Sequence, residues 1–136
     1  RFDSVQLFSR QEGMRGIVKA MKAGRPFLYL PDMDFGRKES IFVPFFGVQA
    51  ATKPRGSPRV RLTGAKVLPC VTRQVADGYE VDIMPAWEDY PGESVEADTA
   101  FMNRFIEDQI LRMPEQYFWV HKRFKTRPAG EQRFYK

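Results

Sequence analysis

The carboxylates best placed for chemistry lie in a short polar segment, residues 31–36, which directly follows an apolar run. Its acidic residues are Asp32 and Asp34. A carboxylate at the C-terminal end of a strand can orient a substrate hydroxyl or a cationic neighbour, and open α/β sheets commonly place ligand-binding loops there. The alternative is a local role, because Asp side chains often hydrogen-bond the backbone of their own turn. Asp32, immediately after Pro31, is the preferred site candidate.

A second candidate segment, residues 114–128, interleaves four bases with aromatic residues. Arginine suits bidentate contacts with phosphate and carboxylate groups, and amphipathic aromatic side chains are typical of membrane interfaces. The segment therefore predicts contact with an anionic ligand, and Arg73, at the end of a predicted strand, is a further candidate. The four bases are Lys122, Arg123, Lys125 and Arg127.

The same segment also has a structural interpretation. Its aromatic residues Phe118, Trp119 and Phe124 are candidates for the core, and some of its arginines are candidates for ion pairs with acidic residues in 77–98. The two interpretations can apply to different residues of the segment.

The single histidine and the single cysteine predict neither a catalytic base nor a metal site. His121 is the only histidine, and a lone histidine is more often structural than catalytic, so it is not assigned as a base. One histidine and one cysteine cannot supply the three or four ligands of a zinc site. Cys70, within the apolar residues 67–71, is expected to be buried.

The charge distribution is uneven: the chain has 22 Lys and Arg against 17 Asp and Glu, a net charge of +5. Residues 40–76 contain six bases and no acid, whereas residues 74–103 contain eight acids and no base. Basic blocks suit anionic partners such as nucleic acid, lipid headgroups or an acidic carrier protein, and a solvated surface is the alternative. The apolar runs are far shorter than the roughly 20 residues of a spanning helix, so no membrane span is predicted.

The hydrophobic pattern predicts alternating helices and strands. Residues 13–23 place apolar side chains on one helix face, with Gly24 at the C-terminal cap, and this helix is expected to pack on a sheet. Residues 27–30 predict a buried strand. Residues 41–47 predict a strand only over their first part, because Pro44 lacks an N–H.

Five further elements are expected from residue 58 onward. A short helix is expected near residues 58–64. The stretch before it contains Pro and Gly residues, which disfavour a helix. Residues 66–73 and 79–85 predict an antiparallel hairpin around Asp77-Gly78. A helix is expected over 95–112, with a buried stripe of apolar residues, and a second short helix is expected to begin at Pro114. The stripe comprises Phe101, Met102, Phe105, Ile106 and Ile110.

This order of elements predicts the α/β class, with one mixed β-sheet flanked by helices. No internal repeat or domain linker is present. Residues 1–136 are therefore expected to form a single domain or a fragment of one.

Several segments, in order along the chain, resemble the lipid A biosynthesis acyltransferase family. The resemblance spans nearly the whole chain, and its last motif is the longest and most unusual. The segments are Met14-Arg15-Gly16, LPDMDFG at 30–36, FVPFFG at 42–47 with Ala51-Thr52, GAKVLP at 64–69 with Arg73, and PEQYFWVHKRFKTRP at 114–128 with Gly130-Glu131 and Tyr135.

The resemblance implies an enzyme of the bacterial inner membrane, at its cytoplasmic face, that moves a fatty acyl chain onto a hydroxyl of a Kdo-bearing lipid A precursor. The implied donor is the thioester of acyl carrier protein, with no separate cofactor. The implied partners are acyl carrier protein, the lipid A precursor and the membrane surface, and not nucleic acid. The implied architecture is the C-terminal part of a glycerolipid-acyltransferase-like domain.

The family's chemistry is carried by a histidine and a carboxylate spaced H-x-x-x-x-D/E, in which the histidine acts as general base and the carboxylate fixes its tautomer. His121 does not match this spacing. The resemblance therefore implies that the dyad, the membrane anchor and the first part of the sheet lie upstream of Arg1, and that this chain alone is inactive. Asp32 and Asp34 would then support the dyad.

Two other functions remain open on the residues alone. One is a non-catalytic module that binds anionic lipid. The other is a basic nucleic-acid-binding domain, in which the interleaved aromatic residues would stack on bases. The chain lacks an RRM-like aromatic motif, a zinc spacing and a recognition helix, so nucleic acid is the less favoured partner.

Overall fold

The computed structural model describes residues 5–9 and 13–136. These residues form three α-helices, two β-hairpins and two short 3-10 helices. In chain order they are α1 (Arg15–Lys22), β1 (Ile41–Phe45), β2 (Val48–Thr52), α2 (Gly56–Thr63), β3 (Cys70–Val75), β4 (Gly78–Ile83) and α3 (Val95–Arg112), followed by 3-10 helices at Pro114–Gln116 and Trp119–His121. No helix in this part of the chain combines the length and the apolar character needed to cross a membrane.

The α/β class is confirmed, but the prediction of one mixed sheet is wrong for the described residues. Among the described strands, β1 pairs only with β2 and β3 only with β4, and both pairs are antiparallel. Each pair is joined by a two-residue turn, so every strand finds its partner in its immediate neighbour in sequence.

The β1–β2 hairpin turns at Phe46 and Gly47, whose φ angles of 48° and 72° are those of a type I′ turn. Pro44 lies in β1 opposite Gln49, and its carbonyl accepts a hydrogen bond from Asn103 Nδ2 at 2.9 Å. β1 tolerates Pro44 because its missing N–H lies on the side away from β2. The expectation of a strand over only the first part of residues 41–47 is confirmed, since β1 ends at Phe45 and the turn follows.

The core forms where α3 packs across β1. Phe45 and Ala50 are fully buried, and Ile110 of α3 joins them. Partly buried Phe46, Ile106, Tyr117 and Phe124 complete this cluster. The C-terminal run thus contributes two of its aromatic rings to the same core as the first hairpin.

Helix α3 has the bounds expected from the sequence, and Ser94 caps it by accepting a hydrogen bond from the Ala97 N–H at 3.0 Å. Its buried face is more polar than its apolar stripe predicts. Asp98 is buried and accepts hydrogen bonds from Ser57 Oγ, Arg61 and the Gly92 N–H, which ties α3 to α2. Of the stripe, Met102 and Ile110 are buried and Phe105 and Ile106 are intermediate, whereas Phe101 is exposed.

The first helix is confirmed, and Gly24 follows it with a φ of 82°. However, the main contact of α1 among the described elements is with α2, not with a sheet. The expected strand at 27–30 is also wrong: Leu28 and Leu30 are 78% and 68% exposed, and no described strand pairs with this extended segment. An apolar run becomes a buried strand only where another strand and a covering layer meet it.

The hairpin around Asp77-Gly78 is confirmed as β3 and β4. Cys70 is exposed, so its expected burial is wrong. The reason is that Cys70 shares an uncovered face with Tyr79, Val81 and Ile83.

A side chain from the first 3-10 helix forms hydrogen bonds with the outer edge of β3. The Gln74 N–H donates to Gln116 Oε1 at 2.8 Å, and Gln116 Nε2 donates to the Gln74 carbonyl at 3.0 Å. The Gln116 amide thus replaces the peptide group of a neighbouring strand. The helices expected near 58–64 and from Pro114 are both confirmed, the second as a single 3-10 turn.

Asn103→Ala tests the contact between α3 and β1. The substitution leaves the Pro44 carbonyl without its donor and opens a cavity, so we expect the free energy of unfolding to fall by about 2–3 kcal/mol. Chemical denaturation measures this change. Arg104→Ala, one residue away and exposed, is the control and should stay within about 0.5 kcal/mol of wild type. Equal effects of the two variants would contradict the assigned contact.

Candidate functional site

The candidate segments at 31–36 and 114–128 meet in the structure through the buried carboxylate of Asp34. Its Oδ1 accepts from the Gly36 N–H at 2.8 Å and from Thr126 Oγ1 at 2.9 Å. Its Oδ2 accepts from the Thr126 N–H at 2.9 Å. Asp34 therefore combines the turn chemistry expected for it with a contact to the C-terminal motif that sequence reasoning did not foresee.

The only histidine contacts the same residue through its backbone. The Asp34 N–H donates to His121 Nε2 at 3.2 Å. This nitrogen's lone pair is therefore occupied, and a proton carried by the neutral ring lies on Nδ1. The geometry supports a positioning role for His121 in place of general-base catalysis.

Arg123 is 2% exposed and reaches into the first hairpin. Its Nη1 donates to the Ala51 carbonyl at 2.9 Å and its Nη2 to Thr52 Oγ1 at 2.7 Å. The guanidinium also lies over the Phe45 ring, 5.0 Å from its centroid. Burial lowers the pKa of Arg123, and the neighbouring Tyr117, Asp34 and Asp32 oppose that shift.

Arg127 makes a parallel set of internal contacts. Its Nη1 donates to the Gln49 carbonyl at 2.6 Å, its Nη2 pairs with Glu131, and its guanidinium lies 4.4 Å from the centroid of the Phe134 ring. Neither Arg123 nor Arg127 pairs with an acid in 77–98. Both bind the backbone of β2 instead.

The remaining bases of the motif point outward. Lys122 and Lys125 are exposed, and so are Phe118 and Trp119, at 69% and 51%. The interpretation of Phe118 and Trp119 as core residues is therefore wrong. Phe124, by contrast, packs 5.9 Å from Phe45, between ring centroids, as a core residue should.

The motif thus has an inner and an outer side. Two cationic and two aromatic side chains within the eight residues 118–125 are exposed, and we call this set the outer face. The outer face consists of Phe118, Trp119, Lys122 and Lys125. Arg73 is not part of it: its guanidinium forms an exposed ion pair with Glu80 across the second hairpin at 3.0 Å.

Asp32 lines a cavity of about 570 Å³ between α2, α3 and the β3 segment, which we call the central cavity. Its walls are mostly apolar, and Tyr117 contributes a buried hydroxyl that has no hydrogen-bond partner among the described residues. Burial raises the pKa of Tyr117, and the nearby charge of Asp32 raises it further. Tyr90, also in this wall, has its pKa raised to about 12, chiefly by burial.

The basic block at 53–66 is largely engaged in internal contacts. Lys53 and Arg55 both pair with Glu39, and Arg61 pairs with Asp98 at 3.0 Å. Arg59 is buried. Sequence reasoning missed Tyr117 and Arg59 as individual candidates, because only the fold shows that Arg59 and the Tyr117 hydroxyl are buried at a cavity wall. No group of three or more His, Cys, Asp or Glu side chains suited to a metal ion occurs within the described residues.

Comparison with known proteins identifies the family of this chain. Residues 1–126 match the family model for bacterial lipid A biosynthesis acyltransferases. The lipid A biosynthesis palmitoleoyltransferase of Escherichia coli (strain K12) is 44% identical over 128 residues, which cover 92% of this chain and 42% of that protein.

Two further relatives from the same organism also match this chain. The lipid A biosynthesis lauroyltransferase is 39% identical, with 88% of this chain and 40% of that protein covered. The lipid A biosynthesis myristoyltransferase is 30% identical, with 96% of this chain and 41% of that protein covered.

The chain belongs to the bacterial lipid A biosynthesis acyltransferase family. It spans about two fifths of the length of these curated relatives. The resemblance carried by the motifs is therefore confirmed.

Asp34→Asn tests whether the carboxylate holds the C-terminal motif. The amide keeps the shape of the side chain but cannot accept at both positions, so we expect a loss of about 2 kcal/mol and faster exchange of the Thr126 amide hydrogen. Hydrogen exchange that is resolved at Thr126 measures the exchange rate of this amide.

Asp32→Asn is the matched control, because it removes a charge from the same turn without touching Thr126. Thr126 should keep its protection in that variant. Unchanged protection in Asp34→Asn, or equal losses in both variants, would contradict the role assigned to Asp34.

Proposed function

We propose that the protein carrying this chain transfers a fatty acyl chain from acyl carrier protein to a hydroxyl of a Kdo-bearing lipid A precursor. The observation that supports this most is the family match across residues 1–126, together with relatives named for palmitoleoyl, lauroyl and myristoyl transfer. The donor thioester is a substrate, and the proposal requires no further cofactor.

In this proposal, the chain contributes the acceptor-facing part of the enzyme, as all or part of one domain. The acceptor carries phosphates and Kdo carboxylates, which suit the exposed ammonium groups of Lys122 and Lys125. Arg123 and Arg127 position these lysines, because their own guanidinium groups are bound to β2. Arg73 remains a candidate contact for the same anionic ligand.

The outer face also suits a membrane surface. Phe118 and Trp119 are exposed beside the two lysines, and aromatic rings with neighbouring cations are favoured at the headgroup level. We propose that the protein acts at the cytoplasmic face of the inner membrane, with the outer face toward the lipid.

The catalytic step needs a base that is not assigned within this chain. We propose that a histidine and carboxylate spaced H-x-x-x-x-D/E, supplied by another part of the protein, remove the acceptor hydroxyl proton. Asp32 supports the site from the wall of the central cavity, and Asp34 supports it by fixing the C-terminal motif. The complete domain would then have a glycerolipid-acyltransferase-like architecture, in which the hairpins join a larger sheet.

The full-length gene product tests the proposal directly. With acyl carrier protein loaded with lauroyl, myristoyl or palmitoleoyl chains and a Kdo-bearing precursor, mass spectrometry should show one added acyl chain. The 136-residue chain alone should show none. Precursor binding by the full-length product without transfer would instead support a non-catalytic module that binds anionic lipid.

The double variant Lys122→Gln with Lys125→Gln tests the acceptor contact. Each base near an anionic surface contributes about 1 kcal/mol, so losing both should raise the acceptor KM at least about fivefold while kcat stays within about twofold. Steady-state kinetics of the full-length product measure both constants. Lys19→Gln, an exposed lysine on α1, is the control and should leave KM unchanged. An unchanged KM in the double variant would rule out these lysines as acceptor contacts.

A further inference from the structure

The Tyr117 hydroxyl is a buried polar group at the wall of the central cavity, and it has no hydrogen-bond partner within the described part of the chain. An unpaired buried hydroxyl is unfavourable and therefore requires an explanation. Burial raises the pKa of Tyr117, and the charge of Asp32 raises it further. The hydroxyl therefore keeps its proton and can act as a hydrogen-bond donor, but not as a base.

The ring of Tyr117 is held on two sides. Its centroid lies 6.3 Å from that of Phe45, in the core, and 4.8 Å from that of Trp119, in an edge-to-face arrangement. Tyr117 also directly follows Gln116, whose side-chain amide forms two hydrogen bonds with the backbone of Gln74. None of these contacts uses the hydroxyl, so the ring should stay in place when the oxygen is removed.

Asp32 is the acceptor that this hydroxyl suits. It is the only acid among the described residues that line the central cavity. Asp34, two positions later, already uses both of its carboxylate oxygens on other donors. Asp32 and Arg123 are the charged residues that act most strongly on the Tyr117 hydroxyl. Arg123 is not part of the cavity wall, however, and its Nη1 and Nη2 are bound to β2.

We propose that Tyr117 is a positioning residue for acyl transfer: its hydroxyl donates to the Asp32 carboxylate and fixes the direction in which that carboxylate faces the central cavity. Asp32 is only partly buried, so its side chain can turn toward a donor that is itself fixed. The inference rests on the proposed function, because it assigns Tyr117 a part in the same site.

An uncharged donor suits this position. A hydroxyl orients a carboxylate and leaves its negative charge in place, whereas a neighbouring ammonium or guanidinium group would compensate that charge. The bond is charge-assisted and therefore stronger than one between neutral groups. With one oxygen held by Tyr117, the other oxygen of Asp32 can orient a substrate hydroxyl or a cationic neighbour.

Tyr117→Phe tests the proposal in the full-length gene product, because it removes one oxygen and keeps the ring. We expect kcat for acyl transfer to fall at least about fivefold, while the acceptor KM stays within about twofold. Asp32→Ala should also lower kcat. In that background Tyr117→Phe should change kcat by less than about twofold, since the acceptor of the hydrogen bond is already gone. Tyr79→Phe, which removes the same oxygen from an exposed ring of β4, is the control and should leave kcat unchanged.

An active wild type with an unchanged kcat in Tyr117→Phe would overturn the inference and leave the proposed function standing. A loss of equal size in both backgrounds would also overturn it, because a purely structural role does not depend on Asp32. The apparent Tm of each variant shows whether it is folded.

Chemical denaturation of wild type, Tyr117→Phe, Asp32→Ala and the double variant gives a second measurement that needs no activity. The two substitutions should couple, and their coupling should change the unfolding equilibrium constant at least about fivefold. Additive effects would overturn the hydrogen bond. If the wild type transferred no acyl chain, the proposed function would be contradicted, and this cycle would still decide whether Tyr117 binds Asp32.

Discussion

The carboxylate of Asp34 accepts hydrogen bonds from its own turn and from Thr126, and so joins two segments that lie 92 positions apart. Both of its oxygens are used, which leaves little freedom in the direction of the C-terminal run. A charged acceptor in a buried position binds N–H and O–H donors more strongly than a neutral one does. Once Thr126 is fixed in this way, Arg123 and Arg127 lie within reach of the backbone of β2.

That constraint explains why a run of similar bases divides into two kinds. The arginines that point inward bind carbonyl groups and lie over aromatic rings, where a planar guanidinium fits better than an ammonium group does. Lys122 and Lys125 are exposed, and the Lys122 ammonium group lies 5.7 Å from the centroid of the Tyr135 ring. The fold therefore leaves two lysines and two aromatic rings of residues 118–125 exposed, while the two arginines bind the backbone of β2. The same reasoning makes Arg59 unusual, because it is buried without such carbonyl partners.

Sequence reasoning succeeded where the signal was local. The period of α3 and the Asp-Gly pair between β3 and β4 gave both elements, since neighbouring residues decide them. It failed where burial depends on a distant partner: residues 27–30 are apolar yet pair with no strand that the structure describes, and Cys70 lies on an exposed face of its hairpin. β2 was missed because Phe46-Gly47 was not taken as a turn. For the site, sequence motifs identified the segments and the family, but Lys122 and Arg123 are adjacent, and only tertiary contacts tell which of them faces inward.

The coupling between Asp34 and Thr126 is the central claim, and a double-mutant cycle measures it. Asp34→Asn, Thr126→Val and the double variant would be compared with wild type by chemical denaturation of the full-length gene product. Residues in one hydrogen-bonded network usually couple by about 0.5–3 kcal/mol. The structure predicts a coupling of at least about 1 kcal/mol, in the range of a charge-assisted hydrogen bond. Additive effects, with a coupling near zero, would contradict the account.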